Sequence, residues 1–250
     1  MRVLTIFISA ILFVFSGVVV SAADSTAPHW SYSGHDGPEY WGELSPKFHA
    51  CSSGRSQSPI DIARIGGSTD GIVTNYRLTA LDVLNNGHTI QLNYEPGSTL
   101  MSEGREYELL QFHFHSPSEH TIEGRHFPLE VHLVHKDDSG KLAVVGVMFR
   151  EGQENPDLAA LWNHMPENAN TGYVSSDLVN ASNLLPSNLS FVRYNGSLTT
   201  PPCSEGVRWH VVAEPLEASA AQIDKFLSVV QENNRPIQAR NKRLLEKHTE

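Results

Sequence analysis

Two neighbouring segments decide the fold of this chain: Gln111-Phe-His-Phe-His-Ser-Pro-Ser-Glu-His-Thr121 and Leu129-Glu-Val-His-Leu-Val-His135. Both alternate in character as strands do, because side chains on a strand point to opposite faces with a period of two. His113 and His115 therefore share one face, and His132 on a neighbouring strand can meet them. Three neutral imidazoles that converge predict a tetrahedral zinc site with one open position, which is typical of catalytic zinc.

Two polar residues lie two positions before a candidate ligand. Gln111 precedes His113, and Glu130 precedes His132, so each shares a face with its histidine. An oxygen that accepts a hydrogen bond from the second ring nitrogen of a ligand fixes its tautomer and raises its basicity. We therefore predict that Gln111 and Glu130 support the ligands; the alternative is that both are ordinary polar strand residues.

The remaining pattern predicts a sheet with few helices. Alternating or continuously apolar strands are expected at 89–94, 107–115, 129–135 and 142–150. Turn signals separate them at Asn85-Asn-Gly87 and Asp138-Ser-Gly140, and helical periodicity is limited to 156–164 and 219–232. We expect a mainly β fold, a single domain built on a large, mostly antiparallel twisted central sheet with short peripheral helices.

The first 22 residues have the pattern of a targeting segment. Arg2 precedes an apolar run from Ile6 to Val20, and small residues follow up to Ala23. This pattern is typical of a cleaved secretory signal peptide, with an uncleaved membrane anchor as the alternative. We expect residues 1–22 to be removed and residues 23–250 to form the folded domain.

The charge balance limits the partners. The formal net charge is −10, from 28 acidic and 18 basic residues. An acidic chain is not expected to bind nucleic acid or an anionic membrane surface. No second apolar span follows the leader, so no membrane association is expected once the leader is removed.

The two cysteines, Cys51 and Cys203, are far apart in the chain. An even number of cysteines in an exported protein predicts one disulfide. It would close a loop of roughly 150 residues and stabilise the fold by up to about 5 kcal/mol on the chain-entropy model. Two buried free thiols are the alternative.

Taken together, the motifs resemble those of the α-class carbonic anhydrases over nearly all of residues 23–250. The matching segments are, in order, His29-Trp-Ser-Tyr32, Gly37-Pro-Glu-Tyr-Trp41, Gln57-Ser-Pro-Ile-Asp61, Asn85-Asn-Gly-His88, the two histidine strands, Gly196-Ser-Leu-Thr-Thr-Pro-Pro-Cys203 and Arg235-Pro236. Their order and spacing make the resemblance specific. The short connection from His115 to Glu119 is similar to that of bacterial and plant members. With the leader, it favours the periplasm, and an extracellular location is the alternative.

The resemblance implies reversible hydration of carbon dioxide to bicarbonate and a proton, by attack of a zinc-bound hydroxide. By the same resemblance Thr199 accepts a hydrogen bond from the hydroxide and donates its own proton to Glu119. The residues around the substrate would be Val134, Val144, Leu198, Thr200, Val207 and Trp209, of which the apolar ones are otherwise ordinary core. A weak esterase activity would accompany the main reaction. Family structures also imply cis peptide bonds at Ser58-Pro59 and Pro201-Pro202.

His88 matches the proton-shuttle position of the family. A free histidine has a pKa of about 6.5, which suits it to accept a proton near neutral pH. Tyr32, Asn86 and Gln91 would line the water path. Without the resemblance, His88 would be a turn histidine with no role. His120 and His135 are interpreted as hydrogen-bonded structural residues.

Two other classes of function compete with this interpretation. A binding module that has lost catalysis is disfavoured because the three zinc histidines, Glu119, Thr199 and His88 are all present. Another zinc hydrolase, such as an esterase, is disfavoured by the apolar substrate pocket and the lack of a nearby carboxylate base. The sequence leaves the oligomeric state open, with a homodimer as one alternative because bacterial relatives often dimerise.

Overall fold

The computed structural model describes residues 28–63 and 66–250, so the predicted leader at 1–22 lies outside the described residues. The α-helices are α1 (Trp41–Leu44), α2 (Ala50–Ser53), α3 (Pro156–Trp162) and α4 (Ala220–Val230), with short 3₁₀ turns at Gly34–Asp36, Pro46–Phe48 and Ala181–Leu184. The strands are β1 (Asp61–Ile62), β2 (Gly67–Ser68), β3 (Ile72–Asn75), β4 (Thr79–Asn85), β5 (Ile90–Asn93), β6 (Thr99–Ser102), β7 (Arg105–His115), β8 (Thr121–Ile122), β9 (Leu129–Lys136), β10 (Leu142–Glu151), β11 (Thr171–Val179), β12 (Phe191–Ser197), β13 (Glu205–Val212), β14 (Leu216–Ala218) and β15 (Glu246–His248).

One large sheet dominates the structure. Its 13 strands follow the order β11-β4-β5-β7-β9-β10-β13-β12-β15-β2, with β3, β6 and β14 attached beside this path. Most neighbours are antiparallel, whereas β10 pairs with β13 in parallel. Strands account for 38% of the structure and helices for 16%, which confirms the predicted mainly β fold. None of the helices in the described part of the chain has the length and apolar character needed to cross a bilayer.

The alternating sequence of β7 and β9 separates two faces of the sheet. Phe112 and Phe114 are each 1% exposed and pack into an apolar cluster that includes Leu133. The histidines point to the opposite face, and the register places His113 directly opposite His132. The pairing of these two strands therefore determines where the three candidate ligands meet.

A tight hairpin joins β9 to β10, as the Asp138-Ser-Gly140 signal predicts. Asp137 Oδ1 accepts hydrogen bonds from the backbone N–H groups of Ser139 and Lys141, at 2.9 Å each. Gly140 adopts a φ of 84°, a conformation that glycine reaches without steric cost. The hairpin brings β10, which is almost fully buried, against the ligand strand.

The two predicted helices are present with shorter ends, whereas α1 and α2 were not predicted. α3 begins as expected after Asn155, whose side chain accepts hydrogen bonds from the first turn, and it ends at Trp162 rather than at residue 164. α4 is preceded by a capping box in which Ser219 and Gln222 bond to each other's backbone, and it ends at Val230 rather than at residue 232.

An N-terminal aromatic cluster packs on the segment that follows β12. Trp41, Phe48, Cys51 and Cys203 form this buried cluster, with Trp30 and Tyr32 among the residues packed against it. The Cys51–Cys203 disulfide, predicted from the cysteine count, is confirmed and spans 152 residues. The expected cis bonds at Ser58-Pro59 and Pro201-Pro202 are present, and Ser116-Pro117 is also cis. The disulfide thus fixes the Thr199-Thr-Pro-Pro202 segment to the N-terminal region.

Candidate metal centre and active site

Three histidine rings converge on one face of the β7–β9 pair. The ring centroid of His113 lies 5.0 Å from that of His115 and 5.3 Å from that of His132, and the last two are 4.6 Å apart. One nitrogen from each ring lies within 4.8 Å of the other two. The structure therefore brings the three sequence-predicted ligands together in an arrangement that can hold a metal ion.

The second nitrogen of each ring lies against an oxygen atom. The contacts are His113 Nδ1 to Gln111 Oε1 at 2.9 Å, His132 Nε2 to Glu130 Oε1 at 2.8 Å and His115 Nδ1 to the backbone oxygen of Asn233 at 2.8 Å. Since an oxygen of this kind accepts, each ring carries its proton on that side. The opposite nitrogens, which face one another, then present lone pairs.

Burial and neighbouring charges set the protonation of these rings. Burial holds the pKa of His113 well below its ordinary value, and the adjacent His115 and His132 lower it further. Burial also lowers the pKa of His115, although Glu119 opposes the effect. For His132 burial is the largest single effect and lowers the pKa, but the charge and hydrogen bond of Glu130 together with the charge of Glu119 raise the pKa overall. The neutral form that binds a metal is thus intrinsically favoured at His113 and His115.

Glu130 is fully buried and binds four N–H groups. Its Oε1 accepts from the rings of His120 and His132, at 2.8 Å each. Its Oε2 accepts from the backbone of Glu119 at 2.8 Å and of His120 at 2.9 Å. Burial alone would raise the pKa of Glu130, but the charges of the two histidines hold it well below its usual range. Glu130 is therefore an anion that orients His132.

His120 and His135 have hydrogen bonds on both ring nitrogens. His120 donates to Glu130 and accepts from the hydroxyl of Tyr194 at 2.7 Å. His135 accepts from the hydroxyl of Tyr76 at 2.8 Å and donates to a backbone oxygen at 3.3 Å. His120, Glu130 and His132 also lie close enough to hold a metal, but their contacting atoms already bond one another.

Glu119 is buried beside the candidate ligands. Its Oε1 accepts from the backbone N–H of Arg235 at 2.9 Å. Its Oε2 has no hydrogen-bond partner within 28–63 and 66–250, and lies 3.6 Å from His115 Nε2 and 3.9 Å from His132 Nδ1. Thr199 is 5% exposed, and its hydroxyl makes no hydrogen bond to Glu119 in the described structure. The carboxylate thus retains one acceptor for a further donor.

Five of the six predicted pocket residues lie in one apolar cluster. They are Val134, Val144, Leu198, Val207 and Trp209, whereas Thr200 is half-buried in the turn that precedes Cys203. Val144 is paired with Val134 on one side and with Trp209 on the other. The Trp209 ring is also 4.8 Å from the His132 ring, so this cluster adjoins the three histidines.

His88 lies in the turn between β4 and β5, half-buried. Asn86 Oδ1 accepts from the backbone of His88 at 2.9 Å, and Asn86 Nδ2 lies 3.4 Å from Gln91 Oε1. The His88 ring stacks on Trp30, with centroids 3.7 Å apart and planes 7° apart. Burial and then the charge of His29 lower the pKa of His88.

Tyr32 is the remaining residue of the predicted water path. Burial raises the pKa of Tyr32 well above its ordinary value, and the charge of Glu119 raises it further. Its phenol therefore stays protonated near neutral pH and can act as a hydrogen-bond donor or acceptor there.

Several residues of the site were missed in the sequence. Asn233 bonds His115, Arg235 bonds Glu119, Tyr194 bonds His120, and Trp30 stacks on His88. Arg235 and Trp30 lie in motifs that resemble those of the family, but no local sequence pattern connects Arg235 with Glu119 or Trp30 with His88. Asn233 meets its partner across 118 residues, so spacing within a strand could not reveal it.

Comparison with known proteins identifies the family to which this chain belongs. The model of the eukaryotic-type carbonic anhydrase family matches residues 36–249. A carbonic anhydrase of Nostoc sp. is 48% identical over 92% of this chain and 90% of its own length, and one of Neisseria gonorrhoeae is 45% identical over 95% of each. The solved α-carbonic anhydrase of Thermovibrio ammonificans, in complex with the inhibitor sulfanilamide, superposes with a TM-score of 0.86 at 45% identity, over 88% of this chain and 99% of that one. The chain therefore belongs to the α-class carbonic anhydrase family, whose members are lyases that hydrate carbon dioxide.

Proposed function

We propose that this chain hydrates carbon dioxide reversibly to bicarbonate and a proton, with Zn²⁺ held by His113, His115 and His132. The observation that carries the proposal is the orientation of the three rings. Each ring has one nitrogen engaged by an oxygen and turns the other toward its neighbours. Family membership supports carbon dioxide as the substrate, and the orientation of the rings supports this ligand set.

The residues present fit zinc. His115 Nε2 is buried and has no hydrogen-bond partner among the described residues. Leaving a buried polar atom unpaired costs about 1–3 kcal/mol, so this nitrogen requires a partner that residues 28–63 and 66–250 do not supply. Three imidazole nitrogens are a usual catalytic zinc set, and the low pKa of His113 keeps its nitrogen free to bind.

When bound, zinc supplies a Lewis acid that lowers the pKa of water to about 7, a value known from carbonic anhydrases themselves. The three uncharged rings preserve the charge of the ion, whereas thiolates or carboxylates would neutralise it. Gln111, Asn233 and Glu130 hold the three rings in their binding tautomers.

Thr199 and Glu119 are proposed to orient the attacking oxygen. A hydroxyl has a single proton, so a threonine that donates to a carboxylate must accept from the other neighbour. Glu119 Oε2 is the acceptor left free for that proton. Arg235 fixes the other carboxylate oxygen through its backbone N–H.

The apolar cluster beside His132 suits a small uncharged substrate. Val134, Val144 and Trp209 offer no hydrogen-bonding group toward carbon dioxide other than the indole N–H, which already donates to the backbone oxygen of Ser197 at 2.9 Å. The substrate would therefore be held loosely against apolar atoms near the reacting oxygen. Weak ester hydrolysis is expected as a side activity, because the same nucleophile attacks other carbonyl carbons.

His88 is proposed to carry the released proton toward solvent. It lies in a half-buried turn, and burial lowers its pKa, so His88 releases a proton more readily and accepts one less readily than a free histidine. Tyr32, Asn86 and Gln91 would order water between it and the reacting oxygen. We expect His88→Ala to lower kcat in dilute buffer and added imidazole to restore it. An unchanged kcat in dilute buffer would reject the shuttle.

Metal analysis and stopped-flow hydration of carbon dioxide test the proposal as a whole. We expect one zinc per chain, activity that disappears when a chelator removes the metal, and recovery on adding Zn²⁺ back. Full activity after complete zinc removal would refute the mechanism. A protein that binds zinc but hydrates no carbon dioxide would instead support the binding-module alternative.

We further propose that residues 1–22 are a cleaved signal peptide and that the protein works in the periplasm. The Cys51–Cys203 disulfide is compatible with an oxidising compartment. Mass spectrometry of the periplasmic fraction should find a chain that begins near residue 23. A full-length chain retained in the cytoplasm would contradict this proposal.

A further inference from the structure

The side chain of Asn233 connects two parts of the site that are distant in sequence. It is 1% exposed and lies in the segment that follows α4. Its Nδ2 donates to the backbone oxygen of His88 at 3.0 Å and to that of Phe114 at 2.9 Å. Its Oδ1 accepts from the backbone N–H of Ser116 at 2.8 Å. One amide group thus bonds both the shuttle turn and the ligand strand.

The backbone of the same residue bonds the ligand strand as well. Asn233 N–H donates to the oxygen of Ser116 at 3.1 Å, and its own oxygen accepts from His115 Nδ1 at 2.8 Å. Every polar group of this buried asparagine therefore has a partner. The bonds to Ser116 and His115 fix the position of Asn233 relative to β7, and none of them involves the turn that holds His88.

A second residue of this segment bonds the backbone of Phe114. The hydroxyl of Thr89 also donates to the oxygen of Phe114 and accepts from the N–H of Phe114 at 3.2 Å. Thr89 fixes the end of the turn at β5, and Asn233 fixes the carbonyl of His88 itself. Phe114 lies between two of the proposed ligands, so these contacts with its backbone tie the position of the turn to that of the metal centre.

We propose that Asn233 is a positioning residue for proton transfer, which holds the His88 turn at a set distance from the ligand strand. The proposal rests on the shuttle role proposed for His88. An asparagine suits the position because it offers two donors to two carbonyl oxygens and one acceptor to an N–H. An aspartate of the same shape offers acceptors only, so it would face the two carbonyl oxygens without a proton to share.

Asn233→Asp is therefore the most direct test, and Asn233→Ala removes the three side-chain contacts without adding a charge. Asn234→Asp is the matched control, since it introduces the same charge one residue later at a half-buried side chain. The position of His88 can be read without metal. Its ring stacks on the indole of Trp30, and the ring current shifts the His88 ring protons upfield in an NMR spectrum.

In the metal-free protein we expect both Asn233 variants to move the His88 ring protons downfield. In the zinc enzyme we expect kcat in dilute buffer to fall on the order of 10- to 100-fold, because a displacement of about 1 Å can cost that much. The value of kcat/KM, which does not include proton release, should stay near that of the unmodified protein, and imidazole should restore kcat. The Asn234→Asp control should change none of these.

Unshifted His88 protons in both variants would overturn the proposal, as would a parallel fall of kcat and kcat/KM, which indicates general damage to the site. His88→Ala is measured alongside. If it lowers kcat while the Asn233 variants do not, the positioning role is wrong and the shuttle stands. If His88→Ala leaves kcat unchanged, the shuttle role itself is wrong, and the positioning role has no proton transfer to serve.

Discussion

Glu130→Gln replaces one buried oxygen by an NH₂ group and so tests how this carboxylate supports the proposed metal centre. In the native protein all four contacts of the carboxylate come from N–H donors. A glutamine preserves the shape but presents two further donors at one end. In either orientation of the amide, its NH₂ group points at two N–H groups that donated to the carboxylate in the native protein.

The two orientations have different costs. If the NH₂ faces the rings, His132 must carry its proton on Nδ1, the nitrogen proposed to bind zinc. If it faces the backbone, the N–H groups of Glu119 and His120 lose their acceptor, at about 1–3 kcal/mol each and about 2–6 kcal/mol together. Loss of a partner behind a metal ligand also lowers affinity by about 10- to 100-fold. That factor corresponds to about 1.4–2.8 kcal/mol.

Chelator competition measures the zinc Kd, and urea unfolding of the metal-free protein measures the free energy of unfolding. We expect a weaker Kd, a lower unfolding free energy, or both, according to the orientation adopted. Glu106→Gln, the same change at an exposed position of β7, is the control and should alter neither. A Glu130→Gln protein with unchanged zinc affinity and unchanged stability would refute the assignment of Glu130 as an ionised support.

Three further outcomes are expected. Thr199→Ala should lower kcat/KM on the order of 100-fold while zinc content stays the same, because the attacking oxygen loses its orientation; an unaltered kcat/KM in stopped-flow assays would exclude this role. Replacing Cys51 and Cys203 together with alanine should lower the unfolding free energy in urea by about 2–5 kcal/mol, and an unchanged urea midpoint would count against it. Burial lowers the pKa of both His135 and His210 from 6.5 to about 3 in the folded protein. Below about pH 6.5 the unfolded chain therefore binds protons at these histidines that the folded protein does not bind. The free energy of unfolding should be highest above about pH 6.5 and should decline as the pH falls toward 3. His135→Gln should show a shallower decline in urea titrations at several pH values, and an equal slope would contradict the argument.

The parts of the fold that were predictable depend on short-range patterns. Period-two alternation identified β7 and β9, and the hairpin signal at Asp138-Ser-Gly140 joined β9 to β10 in the correct order. Gln111 and Glu130 lie two residues from a histidine on the same strand, and strand geometry alone places such pairs on one face. The even cysteine count likewise predicted the disulfide without any knowledge of the sheet.

Contacts between distant segments could not be predicted in this way. Asn233 reaches His115 because the chain after α4 returns to the end of β7, and no periodicity encodes that return. The stacking of Trp30 on His88 depends on where the N-terminal cluster packs. The helix ends were also misplaced by two residues at Trp162 and Val230, because Asn163 and Gln231 follow them directly and no glycine or proline marks the end.

The long separation of the two cysteines has a consequence for biosynthesis. Cys51 leaves the ribosome early, while its partner Cys203 follows β12 near the end of the chain. During synthesis the early thiol must therefore wait unpaired while the ligand strands are completed. The covalent link that secures the Thr199 segment can therefore form only after the whole stretch between the two cysteines, which includes all three candidate ligands, has been synthesised.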